Sequence, residues 1–129
     1  MTGSGLFIRP AGKADLSAVL ALYAQPDMDN GQVLAIEHAE SIFDRFARYP
    51  DYTLYVAETD GAVAGSFALL VMDNLGHLGS PSAIVEDVVV DPARHGMGIG
   101  RCSLRTVSRN ITAAGSAAAM FRSNSMRAR

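Results

Sequence analysis

Cysteine is all but absent: Cys102 is the only one in 129 residues. That excludes an internal disulfide framework and fits a reducing compartment, so a cytoplasmic location is expected. A lone cysteine at a helix start reads as a small packing residue. With one cysteine and three scattered histidines, no metal site is expected. No apolar run approaches the length that spans a bilayer, and Met1-Thr2-Gly3-Ser4-Gly5 is not a signal peptide, so no membrane partner is expected. The net charge of −2 gives no hint of nucleic acid. Acidic residues are missing altogether beyond Asp91, whereas seven of the eleven basic residues lie there: Arg94, Arg101, Arg105, Arg109, Arg122, Arg127 and Arg129. Two readings fit that segment, solvated arginines or a surface for a polyanionic ligand. Ligand contact is favoured for Arg101.

What is present suits one domain over residues 1–129, with 49% hydrophobic and 19% charged residues. Leu6 to Arg9 reads as a short strand ended by Pro10. Asp15 to Ala24 reads as a helix with Leu16, Val19, Leu20 and Tyr23 on one face. A second helix is expected over Val33 to Arg48. Tyr52–Thr59 and Ala62–Met72 read as strands of a hairpin, because Asp60-Gly61 between them is a strong turn signal. Ala83 to Val90 reads as a buried strand carrying the pair Glu86-Asp87. Arg101 to Ala114 reads as a helix, and Ser116 to Arg122 as a last strand.

The most informative stretch follows Val88-Val89-Val90, where Asp91-Pro92-Ala93-Arg94 leads into His95-Gly96-Met97-Gly98-Ile99-Gly100-Arg101. Glycine lets backbone N–H groups approach a ligand, and a helix N-terminus adds partial positive charge. Strand, glycine loop and helix start together favour a phosphate or pyrophosphate site over a glycine-rich turn without a ligand. A P-loop would need Gly-Lys-Ser/Thr, but Arg101-Cys102 follows Gly100. A dinucleotide fingerprint would need Gly-x-Gly-x-x-Gly and an acidic residue about twenty positions later, and neither is present.

His95-Gly96-Met97-Gly98-Ile99-Gly100 resembles the Gln/Arg-x-x-Gly-x-Gly/Ala motif of the Gcn5-related N-acetyltransferases, or GNAT family, with His95 where Gln or Arg is usual. The element order also matches that family across nearly the whole chain. The resemblance implies an α/β (α+β) fold, a mixed, mostly antiparallel sheet flanked by helices. It implies acetyl-CoA as cosubstrate, its pyrophosphate held by His95, Gly96, Met97, Gly98, Ile99, Gly100 and Arg101. Its pantetheine arm would pair with the backbone of Val88, Val89 and Val90, with the amide near Val88 as oxyanion donor. Asn124, in Ser123-Asn124-Ser125, matches the family's strand-end asparagine region and would touch the coenzyme or a proton-relay water.

Ile84-Val85-Glu86-Asp87-Val88-Val89-Val90 resembles the corresponding strand of glucosamine-6-phosphate N-acetyltransferases and their small-amine relatives, in which the Glu-Asp pair lies by the amine. Glu86 and Asp87 are thus the candidate catalytic residues. Adjacent strand positions would aim them at opposite faces, and a structural pair of carboxylates is the alternative. His77, in a flexible loop, is a weaker base candidate. The chain stops where relatives usually continue with a further helix and last strands, which often supply a tyrosine acid. Tyr23, Tyr49, Tyr52 and Tyr55 all lie upstream. The implied function is acetyl transfer to the primary amine of a small molecule. The alternative is a coenzyme A-binding module with little or no turnover. A sheet left open at its fifth strand also implies a homodimer, with Met120 and Phe121 at the contact.

Overall fold

The computed structural model describes residues 5–26, 28–94, 98–99, 101, 105 and 120–123, the last group by its backbone. Asp60 and Gly61 turn the chain between β2 (Tyr52–Thr59) and β3 (Ala62–Met72), both in the left-handed region at φ 53° and 77°. That is the twist-compatible geometry that Asp-Gly supplies. β1 (Leu6–Pro10) pairs antiparallel with β2, and β4 (Ser82–Val90) pairs antiparallel with β3. β5 (Met120–Ser123) joins the other edge of β4 in parallel, which completes the five-stranded order β1-β2-β3-β4-β5. The mixed, mostly antiparallel sheet expected from the sequence is thus observed. β5 is described over Met120–Ser123, and the earlier residues 116–119 of the expected last strand lie outside the described residues.

α1 (Leu16–Tyr23) follows a short 3₁₀ turn at Lys13–Asp15. Its buried residues Leu16, Val19 and Leu20 recur at helical spacing and press onto the sheet. α2 (Ile36–Arg45) is shorter than the expected Val33–Arg48. Val33 and Leu34 are exposed and non-helical, and Phe46–Arg48 tightens into a 3₁₀ turn.

One core cluster joins the helices to the sheet through Leu16, Leu20, Ala39, Leu54 and Ala68. A second lies on the opposite sheet face around Phe67, Leu69, Ala83 and Val85. Phe67 is 1% exposed, and emptying such a site costs about 3–5 kcal/mol. Arg9 links β1 to the rest: its guanidinium meets Asp15 at 2.8 Å and Glu58 at 2.9 Å. That guanidinium, together with the Gly12 amide, holds the Asp15 carboxyl below the usual range despite partial burial. Among the described residues no helix is long and apolar enough to cross a membrane.

Candidate active site

β4 carries one more residue than β3 across the middle of the sheet. Ala68 pairs with Glu86 and Ser66 with Val89, so the single residue Phe67 faces both Asp87 and Val88. Asp87 takes up the excess at φ 55°, a left-handed conformation that Asp adopts more readily than most side chains. This β-bulge suspends the strand's alternation. Cross-strand partners share a face, so Glu86 lies with Ala68 on the side of α1 and α2. Asp87 lines the cavity on that same side, and Val88 returns to the Phe67 cluster. The expectation that the two carboxylates face opposite ways is therefore corrected, because the bulge brings both to the helix side.

The cavity between the helices and the sheet measures about 280 Å³. Leu20 and Tyr23 of α1, Phe43 and Phe46 at the end of α2, and Tyr52 of β2 form much of its wall, and Asp87 of β4 lines it too. Phe46 stands edge-on to Phe43 at 5.6 Å and to Tyr52 at 4.8 Å, the offset geometry aromatic rings prefer. Burial pushes the Asp87 carboxyl above the usual range, reinforced by the charges of Glu86 and Asp29. Burial likewise raises the Tyr23 phenol, aided by Asp87, although a side-chain hydrogen bond with Ser66 works the other way. The Tyr52 phenol is raised by burial and by both carboxylates. Both phenols stay protonated and able to donate.

The candidate coenzyme side lies along β4 beyond its ladder with β5, which runs from Ser82 against Met120 to Val85 against Ser123. Val89 is buried, Val88 packs on the Phe67 cluster, and Val90 packs beside Ala57, Ala64 and Ile99. The carbonyl of Val90 accepts a hydrogen bond from Gln25 Nε2 at 3.0 Å. Gly98 sits at φ 79°, and a Cβ there would meet nothing within 4 Å among the described residues. Ile99, Arg101 and Arg105 are helical; Ile99 is buried, and the two arginines are exposed. An open glycine followed by a helix start and an exposed arginine fits a polyphosphate. His95, Gly96, Met97, Gly100 and Asn124 lie outside the described residues. His38 and His77 are exposed and do not line the cavity.

Sequence reasoning passed over Gln25, Asp29 and the cavity role of Tyr23 and Tyr52. Tyr23 was visible only as part of the apolar face of α1. Gln25 lies in a polar loop, with no pattern to link it to Val90.

Residues 18–118 match the model of the Acetyltransferase (GNAT) family. The chain belongs to this family. Solved structures bear out the GNAT fold. A candidate acetyltransferase from Agrobacterium tumefaciens str. C58 is 28% identical, with a TM-score of 0.78 over 94% of this chain and 83% of that one. Glucosamine-6-phosphate N-acetyltransferase from Arabidopsis thaliana is 19% identical, with a TM-score of 0.77 over 91% of this chain and 81% of that one. Aminoglycoside N-acetyltransferase AAC(6')-Iy, solved with CoA, is 20% identical, with a TM-score of 0.71 over 95% of this chain and 78% of that one. No curated protein sequence matches the chain significantly.

Proposed function

We propose that this GNAT protein transfers acetyl from acetyl-CoA to the primary amine of a small molecule, in the cytoplasm and as a homodimer. The observation that carries the reading is the bulge at Asp87, which sets two carboxylates on one face beside a cavity. An amine attacks a thioester only as the neutral base. Glu86 and Asp87 are the proposed groups that take its proton, directly or through water, and the raised Asp87 carboxyl suits that work. The Val88 amide is the proposed donor to the thioester oxygen as charge builds there. Gly98, Ile99 and Arg101, with His95, Gly96, Met97 and Gly100, are proposed to hold the pyrophosphate, and Asn124 to contact the coenzyme. The names of the structural neighbours support the substrate class, since they act on glucosamine phosphate and aminoglycosides, and one is bound to CoA.

Thiol release from acetyl-CoA, followed with a panel of primary amines, tests the reading. Amine-dependent release is expected. Acetyl-CoA binding without release by any amine would leave a coenzyme-binding module instead.

A further inference from the structure

The cavity over Asp87 has a chemical character that its polar-substrate neighbours would not suggest. Among its described lining residues Asp87 alone is charged, and none is Lys, Arg or His. The walls are aliphatic and aromatic, with Leu20 facing the edge-to-face series Phe43, Phe46 and Tyr52. A phosphate group would enter a space that offers it no cation. A sugar with several hydroxyls and ammoniums would find only Asp87 and the phenols of Tyr23 and Tyr52 to pair with, and each polar group left over against the apolar walls would cost about 1–3 kcal/mol. The volume, about 280 Å³, lies at the low end of ligand pockets. It suits one ring or a short chain rather than several linked rings. Negative charge is concentrated at one end, where Glu86 and Asp29 both act on Asp87.

We propose that the acceptor is a small hydrophobic monoamine, its ring or alkyl body lodged among Leu20, Phe43, Phe46 and Tyr52 and its ammonium held by Asp87. The assignment rests on the acetyl-transfer reading for its consequence but not for the binding itself. The ammonium gives a proton to the carboxylate pair, and its nitrogen lone pair forms the new C–N bond to the thioester carbon. The C–S bond then breaks, the thiolate leaves with the electron pair and takes a proton from solvent, and the new amide nitrogen loses its second proton to solvent. Aromatic rings beside the ammonium add attraction, because their faces are electron-rich.

The test is calorimetric titration of the full chain with 2-phenylethylamine, its neutral counterpart 2-phenylethanol, glucosamine 6-phosphate and an aminoglycoside, alongside thiol release with the three amines. The amine should bind about tenfold or more tightly than the alcohol, since a charge-assisted hydrogen bond separates them. The two polar amines should bind more weakly than 2-phenylethylamine. In Asp87→Asn the preference for amine over alcohol should collapse while the alcohol still binds. Equal binding of amine and alcohol to the unaltered protein overturns the proposal. So does thiol release with glucosamine 6-phosphate or the aminoglycoside in the absence of 2-phenylethylamine binding, an outcome that leaves the transferase reading intact. Tight 2-phenylethylamine binding without thiol release from any amine upholds the pocket assignment and removes the transferase reading.

Discussion

Ile99 lies so close to Gly65 that a Cβ added to the glycine would stand 3.0 Å from Ile99 Cγ2 and 3.1 Å from the Val89 carbonyl oxygen. Ile99 is 3% exposed and packs with Ala57 and Ala64, so the start of the helix after the glycine loop is seated on β3. Replacing Gly65 by Ala must displace Ile99 or β4. Gly65→Ala is expected to lose about 1–3 kcal/mol of stability, the usual scale for overpacking. It should also weaken acetyl-CoA binding, because the loop shifts with Ile99. Urea melts and coenzyme titration measure the two, and an unchanged melt would show that the seat is slack.

Gly98 differs in kind. Among the described residues nothing blocks a side chain there, but φ 79° disfavours every β-branched residue. Gly98→Val should therefore weaken acetyl-CoA binding by about 1 kcal/mol or more, through loop strain and through filling space proposed for the pyrophosphate. Undiminished coenzyme affinity in a folded Gly98→Val protein would remove the phosphate site from this loop.

Glu86→Gln keeps the shape of the side chain and removes its charge. If the carboxylate handles the amine's proton, turnover should fall by roughly 10²-fold with little change in acetyl-CoA affinity. Steady-state rates across a pH series, paired with coenzyme titration, separate the two effects. Equal rates at every pH would make Glu86 structural.

Asp87 is held above its ordinary carboxylate range of about 3.9, foremost by burial. The folded state therefore disfavours its ionised form. The penalty is absent below the ordinary value, where the group is protonated in both states. It grows as pH rises towards the raised folded value and is complete above it. Asp87→Asn should accordingly melt higher than the parent near neutral pH, with the gain vanishing in acid. Asn also accepts the left-handed backbone found at this position. A variant that melts lower than the parent at neutral pH would mean that Asp87 is stabilised there by a partner rather than strained.

β5 pairs only with β4 among the described residues, which makes it the outer strand on that side. Outer strands carry backbone donors and acceptors suited to pairing with a second copy. Sedimentation at micromolar concentration should give a dimer. Charged substitutions at Met120 and Phe121, the first residues of β5, should shift it towards monomer. A monomer at all concentrations would count against the homodimer.

Much of this protein is legible in its residue order. Period-two alternation and the Asp60-Gly61 turn set β2 and β3 to the residue, since strand period and turn chemistry are local properties. The apolar face of α1 and the glycine loop after β4 are local signals too, and the loop motif carries the resemblance to the GNAT family. The start of α2 is not a local signal: Val33 and Leu34 resemble the helix they precede, yet they are exposed and non-helical.

The site itself was decided by tertiary structure. Alternation sends Glu86 and Asp87 apart, yet a single extra residue opposite Phe67 brings them to one face. No local rule announces that bulge, because it depends on how β4 registers against β3 and on the side chains packed around both strands. Residue types and their order establish strands, turns and helix faces because those depend on near neighbours. Which carboxylate meets which aromatic ring depends on distant segments meeting, and the bond from Gln25 to Val90, 65 positions away, has the same origin.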